Sequence, residues 1–515
     1  MASSEEWDAL SPEQGLEAIA QAIDDAADHG DAALNSQALA WCERLEPRLE
    51  SDAQRVLLDY FQANAWANRM VAKRGDAAAV WAWDQEELQR QIFLLRRALG
   101  SPAFADLDLV RQCQILTNLA NQLDTAGRFI EARQLWTRAL SLLPVFWMAR
   151  ANRGNSLMHY AQALYDPGQR AVFAVAAHRD LDAALSHIDE FPELGDARLR
   201  SAFAAKAAAI DRHFDLAAIS ADYAADAYSL GRSKVEQAYR RWCLDQGLFL
   251  NPLNDLGPDS IAAHDVLTLP DMVTDIHEPP VLVGFFNQLK QEFVSARWLC
   301  FEGISAERVH ASDRGVLLYN TLDYAAVSLG VEQVKMAFRM SYSLLDKIAY
   351  FLNHYMKLGI PEKRISFRHV WRDKDSGPVR PEFLSSENWP LRGLYWLSKD
   401  LFESDFKDVM EPDARALHEL RNHLEHKYVK VISTIGGLTS GPATGPFVDT
   451  LAHTVSLPDL EARTLRLLQL ARSSLIYLSL GMHREEERRR DSAPPDRLIM
   501  PMVLDPWDDG WKRRW

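Results

Sequence analysis

Between residues 418 and 429 the chain reads HELRNHLEHKYV, with three histidines, two glutamates and one arginine. Lys or Glu would be the better helix formers on a plain solvated face, so this choice of residues needs a reason. Three readings fit the spacing. The polar residues coat an exposed helix; or Glu419, His423 and His426, at i, i+4 and i+7, converge on a metal ion; or Arg421 and His426 act as a pair. The metal reading lacks the H-E-x-x-H pattern and a second carboxylate-and-histidine cluster, so no metal and no cofactor are expected. In the third reading Arg421 offers a planar fork for a phosphate, and His426 a proton-transfer group that titrates near neutral pH.

The element that must carry this pair is a helix over 411–434. Pro412, Glu411 and Asp413 suit its start, and Lys427 and Lys430 its end. Leu417, Leu420, Leu424, Tyr428 and Val431 form its buried stripe, with Arg421 on the shoulder. Asn422 and His426, four apart, share a neighbouring face. Five residues place Arg421 and His426 about 140° apart around the axis, so one motif alone is a loose clamp.

At 515 residues, with 48% apolar and 25% charged positions, the chain has the composition of a globular protein of two or three domains. The net charge of −15 argues against a non-specific nucleic-acid coat but leaves room for a local basic cleft. Its four cysteines lie far apart, its apolar runs are too short to span a bilayer, and its start is acidic. A cytoplasmic protein without membrane attachment is expected.

Residues 1–250 read as helical repeats. In CQILTNLANQLDTAGRFIEARQLWTRALSLLP (113–144), small Ala120 and Ala132 let two helices approach, Trp136 fills the groove between them, and Gly127 makes the turn. This unit resembles a tetratricopeptide (TPR) repeat. A second starts at Trp147 with Gly154 at its small position, and an insertion interrupts its latter half. Stretches 82–99 and 198–231 read as degenerate members. Residues 251–280, with five prolines, read as a connector. Helical patterning resumes over 281–490 as four long helices, with a loop-rich insertion at 361–390 and a short helix at 391–402. The tail, 491–515, ends in aromatic and basic residues expected to dock on the body. GGLTSGPATGP (436–446) reads as a flexible connector.

Allowing four to six intervening residues, Arg-to-His spacings occur at Arg153–His159, Arg364–His369 and Arg421–His426. Only the last lies on a long amphipathic helix of the four-helix group. Arg421, Asn422 and His426 resemble the R-x4-H signature of HEPN domains. The blocks YRRWCLDQGLFLNPLNDLG (239–257), FFNQLKQEFVSARWLCFEG (285–303), ENWPLRGLYWLSKDLF (387–402) and LARSSLIYLSLGMHREEERRR (470–490) resemble a prokaryotic HEPN branch found behind TPR-type repeats. The resemblance implies an all-α fold, an irregular TPR-like α-solenoid followed by a HEPN helical bundle.

It also implies a metal-independent endoribonuclease that leaves 2′,3′-cyclic phosphate and 5′-hydroxyl ends, acting in defence or as a toxin. A homodimer through the bundle would bring two motifs together and supply both a base and an acid. Glu292, on the apolar stripe of its helix, needs a partner, either Arg421 or another base. Asn422 and His423 would position water or phosphate, or cap the dimer surface. In the insertion, Lys363, Arg364, Arg368, Trp371 and Arg372 mix charge with an aromatic and would either grip RNA or form a solvated loop. A protein or ligand partner is expected on the repeats. The alternative is a non-catalytic scaffold that dimerises and binds nucleotide, RNA or protein.

Overall fold

The computed structural model describes residues 7, 9–73, 75, 76, 81–190, 197–274, 278–321, 325–373, 377–384, 387–402, 414–433, 449, 451–492, 494, 500 and 502–512, without the side chains of 197, 414–416, 418 and 426. Helix starts follow local chemistry. The hydroxyls of Ser11 and Ser51 accept from the backbone N–H groups of Gln14 and Gln54, whose side chains reach back to the cap. Aspartates 31, 108 and 166 cap three more helices.

The first half contains α1 (Pro12–His29), α2 (Ala32–Leu45), α3 (Asp52–Ala72), α4 (Glu86–Gly100), α5 (Leu109–Thr125), α6 (Phe129–Leu142), α7 (Trp147–Ala163), α8 (Pro167–His187), α9 (Ala197–His213), α10 (Leu216–Asp222) and α11 (Lys234–Asp245). The hairpin of α5 and α6 turns at Gly127 with φ +88°. Between them Trp136 is buried, and its indole N–H donates to Asn121 Oδ1 at 3.2 Å. Contrary to the interrupted second unit expected, α8 is one continuous helix of 21 residues. Its entry is fixed by the Asp166 cap and Pro167 at the first turn.

The second half contains α12 (Val281–Ile304), α13 (Leu329–Tyr355), α14 (Pro381–Leu384), α15 (Trp389–Phe402), α16 (Ala414–His426), β1 (Tyr428–Ile432), β2 (Ala452–Ser456) and α17 (Leu457–Asp491). The described residues are all-α apart from this one pair of parallel strands, in which Val429 faces His453 and Val431 faces Val455. The strand corrects the helix expected over 411–434. Tyr428, Val429, Val431 and Ile432 favour a pleated strand, and β-branched residues lose side-chain freedom in a helix. Tyr428, expected on the buried stripe, is 49% exposed.

One apolar core runs from Val56 to Met482 through both halves. Its centre is α15, buried along nearly its whole length, with three charged side chains inside. Asp400 accepts from Arg96 at 2.9 Å and pairs with Arg128. Lys399 and the Tyr395 hydroxyl both donate to Asp84 at 2.6 Å. The start of the expected connector is likewise tied down at Asn251 and Asp255. Arg472 of α17 donates to the carbonyls of Phe249 and Asn251 and to Asp255, which also accepts from the Tyr160 hydroxyl at 2.9 Å. In the tail, expected to dock, Trp507 is 73% and Trp511 68% exposed. The connector expected at 436–446 lies outside the described residues.

Where α5 meets α15, the Trp389 indole donates to the Asp124 carbonyl at 2.6 Å. Burial pushes the Asp124 carboxyl from its ordinary 3.8 up to about 7, opposed by a hydrogen bond from the Ser156 hydroxyl. A carboxyl raised by folding contributes stability that is complete below 3.8 and is lost as the pH rises to about 7. Asp124→Asn is therefore expected to match wild type near pH 4 and to exceed it in stability at pH 7. Urea midpoints at the two pH values check this.

Candidate functional site

Helix α16 is built on Leu417, Leu420 and Leu424, all buried against the bundle. At its end Arg339 of α13 donates to the Leu424 carbonyl, satisfying one of the acceptors a helix end leaves open. The start expected at Pro412 lies outside the described residues. His426 is the last residue of the helix, and its side chain is outside the description.

Arg421 is half-buried. Its guanidinium lies 5.4 Å from the ring centre of Tyr342, on α13, and its Nη1 donates to Asn422 Oδ1 at 3.1 Å. Burial raises the Tyr342 phenol above its ordinary value, and the Arg421 charge opposes this. Taking Arg421 as zero, Asn422 stands at about 100° around the helix, His426 at about 140° and His423 at about 200°. The Asn422 hydrogen bond therefore draws the guanidinium toward the face that carries the histidine positions, across the gap left by the spacing.

On that face the His423 Nδ1–H donates to the Glu419 carbonyl at 2.7 Å. The ring stacks on His453 of β2 with centres 4.6 Å apart and planes 25° from parallel. Burial first, and then the charge of His423, push the His453 imidazole below its ordinary value, while Glu419 acts the other way. Residues 273–485 match the family model described as LA2681-like HEPN. This part of the chain is a HEPN domain. No curated protein and no solved structure matches the chain.

The HEPN match begins before the 281 boundary expected from sequence and ends within α17. Of the other candidate residues, Glu292 does not orient Arg421. Its carboxylate accepts from Lys347 of α13 at 2.6 Å through both oxygens, the alternative the sequence left open. The insertion splits in two. Trp371 is 1% exposed, packs with Trp83, Phe383 and Tyr395, and donates its indole N–H to the Phe367 carbonyl at 2.9 Å. It cannot stack on a base. Arg372 is engaged with Asp84, the Tyr395 hydroxyl and the Gly377 carbonyl, so it is part of the core contact and not an RNA grip. Lys363, Arg364 and Arg368 are exposed.

The sequence reading missed His453. Its only local signal is the short strand-like AHTVS, and its partner in the stack lies thirty positions earlier in the chain. Among the described residues no three His, Cys, Asp or Glu side chains form a metal-holding group, and no helix is long and apolar enough to cross a membrane.

Proposed function

We propose that the chain is a metal-independent endoribonuclease whose chemistry sits on α16. Membership of the HEPN family points to an RNA-related or defence role and to ribonuclease-like chemistry. The observation that supports the reading is the Arg421–Asn422 hydrogen bond, which draws the guanidinium toward the helix face on which position 426 lies. Cleavage requires removal of the 2′-hydroxyl proton, attack of that oxygen on the adjacent phosphorus, and protonation of the departing 5′-oxygen. Histidine supplies the proton steps and arginine the charge-assisted hydrogen bonds to the phosphoryl oxygens. The products are a 2′,3′-cyclic phosphate and a 5′-hydroxyl. A homodimer through the bundle, joining two motif helices in one cleft, belongs to the same proposal, and solution scattering gives its mass.

The test is cleavage of cellular RNA in excess EDTA with the ends typed chemically. Cyclic-phosphate ends, with DNA and 2′-O-methyl RNA left intact, support the mechanism. Loss of activity with EDTA, or cleavage of DNA, would overturn it. Binding of nucleotide or RNA without any cleavage would favour the scaffold reading instead.

Lys363, Arg364 and Arg368 are the exposed cations proposed to meet the RNA backbone. Reversing all three to Glu is expected to weaken RNA binding and to flatten the slope of log K against log salt by about 2. This follows from about 0.7 per single-strand phosphate contact. Titrations at three salt concentrations check it, and Trp371→Phe should leave the slope unchanged.

A further inference from the structure

We propose that His423 is a second proton-transfer group of the same site, with His453 as the residue that positions it. This deepens the ribonuclease reading and rests on it. The sequence alone gives each motif one histidine for two proton steps. Positions 423 and 426 are three apart, about 60° around the helix, so they share a face. Arg421 is drawn toward that face by Asn422.

The His423 ring is fixed in two ways. Its Nδ1 is committed as donor to the Glu419 carbonyl, so in the neutral ring the basic nitrogen is Nε2. Its plane is held by the stack on His453, whose own Nε2 is buried without a hydrogen-bond partner among the described residues. A buried polar atom with no partner is unusual, and an imidazole there is a poor choice for packing alone, since an apolar ring would fill the space without that penalty. Behind His423 it acts as a neutral brace. The charged groups acting on it are Glu419 and His423 from α16 and Arg463 from α17. Lys430 on β1 is paired with Asp449 at 2.7 Å.

The bracing strand explains why α16 stops at His426. Were the helix to continue as the sequence suggests, β1 would not exist to hold β2, and His453 would not reach the motif face. The proton taken from the 2′-hydroxyl would pass to Nε2 of one histidine, and the proton for the 5′-oxygen would come from the other, so each turnover leaves the pair with its roles exchanged. Proton exchange with water resets it once the products have left.

The experiment uses the full chain on RNA in EDTA. His423→Ala is expected to lower kcat about 10²-fold or more with KM little changed, and added imidazole to restore part of the rate. His453→Ala is expected to move the acid limb of the pH profile without removing cleavage. If His423→Ala cleaves at the wild-type rate with an unchanged profile while His426→Ala is inactive, the inference falls and the ribonuclease reading stands. If His426→Ala cleaves like wild type, the reading falls as well. Should His423→Ala fold poorly, His423→Gln keeps a donor for the Glu419 carbonyl and is tested in its place. Independently of turnover, the His423 ring-proton NMR shifts should move in His453→Ala, because the current of the stacked ring is lost. Unchanged shifts would overturn the positioning role.

Discussion

Replacing His426 by alanine is expected to lower RNA cleavage about 10²- to 10⁴-fold, the range by which a positioned acid–base group accelerates proton transfer. The loss should appear in kcat, because a histidine that moves protons acts in the transition state and adds little to ground-state binding. Arg421→Lys is expected to give a comparable loss for a different reason. Lysine keeps the charge but not the planar fork, and it cannot both lie against the Tyr342 ring and donate to Asn422 Oδ1 as the guanidinium does. The two variants should differ in their response to pH. His426→Ala removes a titrating group and flattens one limb of the profile, whereas Arg421→Lys lowers the rate at every pH. Initial rates from pH 5 to 9 on one RNA distinguish the two. If His426→Ala retained wild-type rates across that range, α16 would not be the site.

The buried stripe of α16 was legible because Leu417, Leu420 and Leu424 repeat at helical spacing, and they are buried. The end of that helix was not. Val431 continues the same spacing seven residues after Leu424, so the pattern runs on past the point where the backbone becomes a strand. What decides the strand is its pairing with residues 452–456 and the bridge from Ala325 to Ile432, both distant in sequence. The same distance hid His453 from the site. In the insertion, the mix of Trp371 and Arg372 with other cations had the composition of a base-stacking surface, but Trp83 and Asp84 from the first half claim both. Helix α15 shows the general cause. Arg392, Lys399 and Asp400 read as surface residues, yet all three are buried, the last two with partners among residues 84–128 that no local pattern reveals.

The second large effect follows from that shared core. At the turn between α5 and α6, Gly127 faces Gly393 of α15 with no side chain between the two backbones. A Cβ on Gly127 would lie 2.1 Å from the Trp389 carbonyl oxygen and 2.7 Å from the Gly393 nitrogen. One on Gly393 would lie 2.2 Å from the Gly127 carbonyl oxygen. These are contacts with backbone, which cannot rotate away. Gly127 also holds φ +88°, a conformation that costs an L-residue about 1–2 kcal/mol before any clash. Forcing the hairpin away from α15 would strain the Arg96 and Arg128 contacts with Asp400, and breaking a buried ion pair by removing one partner costs about 3–5 kcal/mol. Gly393→Ala, which adds the clash without the φ penalty, is therefore expected to lose more than about 4 kcal/mol, at the extreme of single substitutions. Because one core spans both halves, the loss should appear as a single shifted urea transition seen by fluorescence and circular dichroism alike. Two separate transitions in wild type would mean that the halves unfold independently. A single one means that the two halves unfold as one cooperative unit, joined where α15 packs against the turn between α5 and α6.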